Sequence, residues 1–229
     1  MVGVILPAAG TGNRFGEKKQ FITLGTRPLY LHALQPFLSI EDVKEIVIAV
    51  PEEDRFRVEK EILPYKLSAE IKVVSGGERR QDSVQSALRA LSDRCTVICI
   101  HDVARPFITA DIIEKCVQGC DANDGAITAI PANDTLKQVD KSTHHIESTL
   151  DRERIWHAQT PQAFKRTILQ HALQNANEKN LTGTDEAALA EVLGYTIAVV
   201  PGSPLNQKIT TQEDWEIAEA ILHQQRERE

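Results

Sequence analysis

The sequence predicts one α/β domain with a mainly parallel sheet. Short runs of β-branched residues alternate with amphipathic helical stretches, as in βαβ units. A length of 229 residues suits one compact domain, and no Pro/Gly/Ser-rich or single-sign stretch is long enough to be a linker. The predicted strands are residues 2–6, 45–50, 70–74, 96–100, 126–130 and 196–200. The predicted helices are residues 28–38, 52–63, 79–91, 111–120, 166–176 and 185–193, with a last helix after Thr211.

Several helix ends carry sequence signals. Pro28 suits a first helical turn, Thr184 and Thr211 are candidate N-caps before acidic residues, and Gly194 suits a C-terminal stop. The last helix is predicted to bury one apolar side, formed by Trp215, Ile217, Ala218, Ile221 and Leu222.

Residues 135–159 break the alternation of strands and helices. The segment reads as a strand, a polar turn at residues 140–143 and a second strand, with few apolar residues. Because an isolated hairpin is only marginally stable in water, such an arm needs another surface to lie on. We predict that a second copy of the chain supplies this surface and forms a two-fold dimer. The alternative is a hairpin that folds over its own domain.

The overall charge limits the classes of partner. A formal net charge of -7 disfavours generic binding to nucleic acid or anionic membranes, because both need a basic surface. A small anionic ligand held by a few placed cations and backbone N–H groups is compatible with this charge. The first residues lack the features of a signal peptide, and no segment approaches the length of a membrane span. We therefore expect a cytoplasmic protein without nucleic-acid or membrane partners.

The four cysteines form two pairs with a spacing of four residues. They are Cys95, Cys99, Cys116 and Cys120. This spacing does not match the usual zinc patterns, and a cytoplasmic setting disfavours disulfides. We predict four small side chains in the core, with a structural metal site as the less favoured alternative.

The strongest local signal is the segment LPAAGTGNRFGEKKQF at residues 6–21. A predicted buried strand ends at Leu6, and the small residues after it let backbone N–H groups approach an anion. The residues of this segment exclude two familiar phosphate-binding loops. A dinucleotide fingerprint needs glycine where Phe15 stands, and the Gly-Lys-Ser/Thr ending of an ATPase loop is absent. Taken alone, the segment is also typical of a structural turn.

Two further predicted strands end in polar segments. SGGERRQDSV spans residues 75–84, and IHDVARPF spans residues 100–107 with Asp102 and Arg105. Each taken alone is also typical of a helix cap or a solvated loop. Because the carboxyl ends of parallel strands share one edge of a sheet, the three segments together predict a ligand site there.

Six ordered segments across nearly the whole chain resemble the 2-C-methyl-D-erythritol 4-phosphate cytidylyltransferase family. They are LPAAGTGNR with Lys19, SGGERRQDSV, HDVARP, DRERIWHAQTPQ, GTDEA and NQKIT. The resemblance implies a Rossmann-like nucleotide-diphospho-sugar transferase fold with a protruding β-arm. It also implies transfer of CMP from CTP to 2-C-methyl-D-erythritol 4-phosphate, with release of pyrophosphate, in non-mevalonate isoprenoid synthesis. A divalent metal, normally Mg²⁺, and a homodimer with interlocking arms belong to the same implied picture.

The family pattern also implies roles for individual residues. The loop around the nucleotide corresponds to Pro7, Ala8, Ala9, Gly10 and Gly12. The cytosine and ribose pocket corresponds to Gly76, Gly77, Glu78 and Ser83, with Arg80 beside it. The residues that hold the triphosphate and stabilise the transition state correspond to Arg14, Lys19 and Lys208.

The remaining implied roles concern the metal and the polyol. Asp102 and Arg105 correspond to residues that face the metal-bound phosphates and the polyol, so Asp102 is the implied metal residue. The implied polyol-phosphate contacts are Thr135, Arg152 and Thr160, some of them from the partner's arm. Phe15, Lys18 and Val103 depart from the commonest family residues, which are methionine, proline and alanine. None of these departures removes a charge that the chemistry needs.

The implied reaction needs no activated side-chain nucleophile. A phosphate monoester has a second pKa of about 6 and is already an anion at neutral pH. The protein must therefore align two anions and neutralise charge that builds up at phosphorus. His101 is predicted to be a core or backbone-bonded histidine, since adjacent strand residues point to opposite faces. The alternatives are a ribitol-5-phosphate cytidylyltransferase, a nicotinamide-dependent oxidoreductase and a non-catalytic nucleotide sensor.

Overall fold

A computed structural model describes residues 1–10, 15–63 and 68–227. The strands in these residues are β1 (Val2–Pro7), β2 (Thr23–Leu24), β3 (Arg27–Pro28), β4 (Val43–Val50), β5 (Glu70–Ser75), β6 (Val97–Ile100), β7 (Gly125–Pro131), β8 (Lys137–Val139), β9 (Ile146–Thr149), β10 (Trp156–Lys165) and β11 (Ile197–Pro201). A seven-stranded sheet in the order β11-β7-β10-β6-β1-β4-β5 forms the centre, and β2-β3 and β8-β9 are separate pairs.

The helices of the described residues lie between these strands, except that the last helix follows β11. They are α1 (Leu29–Leu34), α2 (Arg55–Ile62), α3 (Arg80–Ala90), α4 (Ala110–Gln118), α5 (Arg166–Glu178), α6 (Glu186–Glu191) and α7 (Gln212–Arg226). Short 3-10 turns occur at Lys19–Phe21, Gln35–Ser39, Glu52–Asp54 and Arg152–Arg154. Across the described residues, no helix combines the length and apolarity that a membrane crossing requires.

The sheet confirms the predicted α/β fold. Strand β1 runs parallel to β4 and β6, β4 runs parallel to β5, and β11 runs parallel to β7. Strand β10 lies antiparallel between β6 and β7. The chain extends from β1 to β4 on one side and later returns to β6 on the other. The carboxyl ends of β1 and β6 therefore flank the switch point where α/β sheets bind ligands.

Strand β10 is absent from the sequence prediction, and the predicted end of the arm at residue 159 is wrong. Residues 156–159 belong to the central sheet, so the arm hairpin is limited to β8 and β9. Three buried polar residues, Gln159, Thr160 and Gln162, interrupt the apolar pattern of β10. Their side chains are satisfied by hydrogen bonds to residues far along the chain, a compensation that periodicity does not reveal.

Alternate residues of the central strands pack on opposite faces of the sheet. Val4 and Leu6 join the core cluster beneath α1, α2 and α4, and Ile5 joins the cluster beneath α3, α5 and α6. This period of two is expected of strands that are buried on both faces. All four cysteines are buried thiols, as predicted.

The cap of α6 differs from the prediction. Asp185, not Thr184, is the N-cap, and its carboxylate accepts a hydrogen bond from the Ala188 N–H at 2.9 Å. Gly194 lies just beyond α6 at a φ of 78°, a backbone conformation that glycine adopts without strain. Asp185 therefore sets the position at which α6 begins.

Helix α7 fixes the segment that precedes it. Thr211 caps α7 in a capping box, as predicted, and Trp215 is buried against Ile209. The prediction that Ile217 is buried is wrong, because its side chain is 48% exposed. Packing at Ile209 places the neighbouring Lys208 at the edge of the sheet.

The arm hairpin, formed by β8 and β9, is exposed along its whole length. Its turn is closed by Asp140, and hydrogen bonds from Ser142 and Thr143 hold the pKa of this carboxyl well below its usual range. Ile146 is 64% exposed, and Val139 is also exposed. A two-stranded hairpin with these exposed apolar side chains supports the expectation of a further packing surface.

Candidate active site

A cavity of about 340 Å³ opens at the carboxyl ends of β1, β5 and β6. This volume lies in the range of small-molecule binding sites. The described part of its lining comes from the three strand-end segments and from residues near positions 19 and 208. The predicted meeting of these segments at one edge of the sheet is therefore observed.

The loop after β1 forms one wall of the cavity. The Ala8 N–H donates to the Ala49 carbonyl on β4 at 2.7 Å. Buried Gln20 donates from Nε2 to the carbonyls of Ala8 and Gly10, at 2.8 and 2.9 Å. These bonds fix the described half of the loop, whose small residues line the cavity. The predicted residues Gly12 and Arg14 lie outside the described residues.

The glycine pair after β5 forms the facing wall. A Cβ at Gly76 would lie 2.3 Å from the Ala9 Cβ, and a Cβ at Gly77 would lie 2.4 Å from the Asp82 Cβ. Side chains are excluded at both positions because real Cβ contacts are longer than this. The Gly77 N–H donates to the Ser83 hydroxyl at 3.1 Å. The pair thus lets the two loops touch and brings the N-terminus of α3, with its partial positive charge, to the cavity.

Asp102 lies at the base of the cavity, just past β6, and is 7% exposed. Its Oδ1 accepts a hydrogen bond from Arg80 Nε at 2.9 Å, and its Oδ2 accepts one from Lys208 Nζ at 2.6 Å. Burial alone would raise the pKa of Asp102, but the charges of Arg80 and Lys208 outweigh it and hold the pKa well below its usual range. Asp102 is therefore ionised at neutral pH.

Arg80 connects Asp102 to a second buried carboxylate, Glu186. Arg80 Nη1 donates to both Glu186 oxygens, at 2.8 and 2.6 Å. Glu186 is 1% exposed at the start of α6. Burial raises the pKa of Glu186, and the charge of Arg80 opposes that shift. Side chains of alternating charge thus contact one another in the order Glu186, Arg80, Asp102 and Lys208.

Lys19 contacts Ile209, the neighbour of Lys208, although the two segments are far apart in the sequence. Lys19 Nζ donates to the Ile209 carbonyl at 2.5 Å, and the Ile209 N–H donates to Ala104 at 2.8 Å. Both lysines line the cavity. The ammonium groups of Lys19 and Lys208 and the N-terminus of α3 thus face one cavity, although the net charge of the whole protein is negative.

Arg105 and Thr160 support the base of the site. Arg105 Nη1 donates to the Asn206 carbonyl at 2.8 Å, and the Thr160 hydroxyl accepts the Asp102 N–H at 3.0 Å. The same hydroxyl contacts His101 Nδ1 at 3.0 Å, and His101 Nε2 lies 3.0 Å from the Arg105 carbonyl. Burial lowers the pKa of His101 to about 4. The prediction of a backbone-bonded core histidine is confirmed.

A model of the family described as 2-C-methyl-D-erythritol 4-phosphate cytidylyltransferase matches residues 2–224 of the chain. The chain belongs to this family. A relative of that name from Dictyoglomus thermophilum is 40% identical over 97% of this chain and 96% of its own length. Another from Syntrophus aciditrophicus is 42% identical over 96% of this chain and 95% of its own length.

Two solved structures share the fold. The 4-diphosphocytidyl-2C-methyl-D-erythritol synthase of Anaerococcus prevotii superposes with a TM-score of 0.87 at 27% identity, over 97% of this chain and 98% of that one. The 2-C-methyl-D-erythritol 4-phosphate cytidylyltransferase of Thermus thermophilus gives a TM-score of 0.80 at 31% identity, over 96% of this chain and 98% of that one. The Rossmann-like nucleotidyltransferase fold expected from the resemblance is confirmed.

Most of the predicted site residues line this cavity. These are Pro7, Ala8, Ala9, Gly10, Lys19, Gly77, Glu78, Ser83, Asp102 and Lys208. Gly76 touches this lining, and Arg105 and Thr160 lie beside Asp102. Thr135 and Arg152 are exposed and are not among the described lining residues. The roles of these residues stay predictions.

Two residues that contribute to the site, Gln20 and Glu186, have no role predicted from the sequence. Gln20 lies in the first motif, but the sequence of that motif does not show that the Gln20 side chain bonds back to the loop after β1. Glu186 lies in the GTDEA segment, where an acidic residue at the start of a helix is also typical of a cap. Only its burial against Arg80 distinguishes it from the capping residue Asp185.

The carboxylates that line the cavity also decide how a metal can be held. The described residues contain no group of three His, Cys, Asp or Glu side chains arranged to bind a metal. Asp102 and Glu78 are the acids of the described lining. This donor set fits Mg²⁺, which is commonly held by one or two carboxylates together with substrate phosphates.

Proposed function

We propose that this chain transfers CMP from CTP to 2-C-methyl-D-erythritol 4-phosphate and releases pyrophosphate. One observation carries the proposal: Lys19, Lys208 and the N-terminus of α3 converge on a single cavity in a chain of this family. The cavity offers positive charge from side chains and backbone, as a triphosphate requires. The activity is that of a nucleotidyltransferase in isoprenoid precursor synthesis.

The reaction follows from the chemistry of its two anions. The phosphate of the polyol attacks the α-phosphorus of CTP in line, a new P–O bond forms, and the bond to the β-phosphate oxygen breaks. Pyrophosphate leaves with that electron pair. Because the attacking phosphate is already an anion, no side chain must remove a proton. Lys19 and Lys208, with Arg14, supply charge where it builds up on the five-coordinate phosphorus.

The nucleotide pocket lies between the two touching loops. The backbone of Pro7, Ala8, Ala9, Gly10 and Gly12 would surround the nucleotide, while Gly76, Gly77, Glu78 and Ser83 would hold the cytosine and the ribose. The contact between Gly76 and Ala9 supports this division, because it joins both loops into one wall. Exposed backbone N–H and C=O groups on such a wall can read the edge of a base.

We propose that Mg²⁺ is held by Asp102 and by the phosphates of CTP. A carboxylate has about four lone-pair sites, so Asp102 retains acceptor capacity beyond its bonds to Arg80 and Lys208. A bound Mg²⁺ would neutralise phosphate charge. The side chains around it would keep Asp102 ionised and oriented.

The polyol phosphate would bind beside Asp102, near Arg105 and Thr160. The predicted contacts Thr135 and Arg152 flank the arm hairpin in the sequence, so they would act on the site of a second copy.

The exposed apolar side chains of the arm support a homodimer. Replacing Ile146 by Glu should convert the dimer to a monomer in light scattering, whereas a monomeric parent protein would refute the dimer. The predicted cytoplasmic location is tested by cell fractionation.

A pyrophosphate-release assay tests the activity. CTP with 2-C-methyl-D-erythritol 4-phosphate should give turnover, and CTP with ribitol 5-phosphate should give at least about tenfold less, since one family of contacts suits one polyol. The ribitol alternative is not favoured by the family and its named relatives. Faster turnover of ribitol 5-phosphate would overturn the assignment, and binding of CTP without any turnover would indicate a nucleotide sensor.

A further inference from the structure

We infer that Glu186 is a positioning residue of the transfer reaction, acting on Lys208 through Arg80 and Asp102. This inference rests on the proposed function. Glu186 itself does not line the described cavity. Its influence on the reacting phosphates would therefore pass through the two side chains between it and Lys208.

Among the described residues, Glu186 and Asp102 accept the side-chain hydrogen bonds of Arg80. Glu186 accepts both bonds of Nη1, and Asp102 accepts the single bond of Nε. The remaining Nη2 is buried and has no hydrogen-bond partner among the described residues. Glu186 therefore supplies two of the three hydrogen bonds that set the plane of the guanidinium.

Glu186 is itself held rigidly. Asp185 caps α6 and also accepts a hydrogen bond from Gln162 Nε2 at 2.8 Å, and the Ala187 N–H donates back to Gln162 Oε1 at 3.3 Å. Gln162 is buried in β10, in the centre of the sheet. The start of α6 is thus attached to the sheet on both sides of Glu186. This anchoring explains how a short helix can fix a guanidinium.

Charge balance shows what Glu186 contributes. With Glu186 ionised, Arg80 is neutralised on one side, and Asp102 can share its two oxygens between Arg80 and Lys208. Without that carboxylate, the buried Nη1 donors of Arg80 would turn to the nearest acid, which is Asp102. Arg80 would then compete with Lys208 for Asp102, and the Lys208 ammonium would lose its fixed position.

The test compares Glu186→Gln with Glu45→Gln. Glu45 is a matched control, because it is equally buried and ion-paired but lies near the opposite end of the sheet. Glu186→Gln should lower kcat about tenfold and change the KM for CTP by less than about threefold, as for an interaction used in the transition state. Glu45→Gln should keep kcat within about twofold while lowering Tm. Equal kcat values in Glu186→Gln and the parent protein would overturn the inference.

A second pair of variants decides the matter even if Glu186→Gln does not fold. Arg80→Met should lower kcat, and adding Glu186→Met should raise Tm without lowering kcat further, because a buried ion pair can be replaced by apolar side chains. A double variant with the kcat of the parent protein, or with a further loss, would contradict the coupling. The parent protein separates the two proposals: if it shows no turnover with CTP and the polyol phosphate, the proposed function fails instead.

Discussion

Two buried carboxylates, Asp102 and Glu45, lie near opposite ends of the same sheet. Glu45 is 1% exposed and accepts hydrogen bonds from the Ser92 N–H at 2.9 Å, from the Ser92 hydroxyl and from Lys72 Nζ at 3.2 Å. Burial alone would raise its pKa, but these bonds hold the pKa of Glu45 at about 2. Asp102 is also buried, and its pKa is also lowered. Both acids are thus ionised and strongly held.

The partners of the two acids differ, and this difference separates a site from a structural clamp. Asp102 is held by two cations that line a cavity, whereas Glu45 joins Lys72 on β5 to the turn at Ser92, where α3 ends. A lowered pKa alone therefore does not identify a functional acid. What identifies Asp102 is that Lys208, one of its partners, reaches the space where a ligand fits.

The largest expected effect concerns the cations of the cavity. Lys19→Ala or Lys208→Ala should lower kcat by about 10²-fold or more while sparing the fold, because each removes an electrostatic donor at the reacting phosphate. Lys44→Ala, at an exposed position of β4, is the matched control and should leave kcat unchanged. Steady-state kinetics together with circular dichroism measure this. A near-normal rate in both cavity variants would remove the lysines from the mechanism.

A somewhat smaller effect is expected of Asp102→Asn. The amide keeps the size of the side chain but removes the charge shared by Arg80 and Lys208, so kcat should fall about 10-fold to 100-fold. The pKa of Asp102 is far below the assay range, so its titration should not appear in the pH profile of kcat. Any fall in rate towards acid pH should instead follow the phosphate nucleophile near pH 6, and it should persist in the variant. Disappearance of that fall in Asp102→Asn would contradict this assignment.

The smallest effect on rate, with a clear effect on stability, is expected of Glu45→Gln. Loss of the charged hydrogen bonds should lower the free energy of unfolding by about 1–3 kcal/mol at neutral pH. Because the pKa of Glu45 is lowered in the folded state, its contribution is full above an unfolded pKa of 4.5 and is lost as pH falls towards 2. The difference between variant and parent in urea unfolding should therefore shrink over that window. A difference in the free energy of unfolding that stays constant with pH would refute the structural role of the Glu45 carboxylate.

The fold could be predicted wherever burial follows a period. Strands β1 and β4 are buried runs rich in β-branched residues, and β5 is a partly buried one. The predicted bounds of all three agree with the structure within two residues. Strand β10 escapes this reasoning because Gln159, Thr160 and Gln162 are buried without being apolar. Their hydrogen bonds reach Ser203, His101 and Asp185, which no local pattern links to them.

The residues of the candidate site also divide into those that could be predicted from the sequence and those that could not. Pro7, Gly77 and Asp102 could be found because each stands where a strand ends, and such ends share an edge. The role of Glu186 could not be predicted, because its partner Arg80 is 106 residues away. An acidic residue at the start of a helix can be either a cap or an ion-pair partner, and the sequence does not distinguish the two. The contact of Lys19 with Ile209, 190 residues apart, is likewise visible only in the folded chain.

The most direct measurement is a crystal structure of the chain with CTP. We expect the triphosphate within hydrogen-bond distance of Lys19 Nζ and Lys208 Nζ, with the base between the loop after β1 and the glycine pair after β5. A nucleotide bound at another surface, or in this cavity with both lysines turned away from its phosphates, would contradict the account.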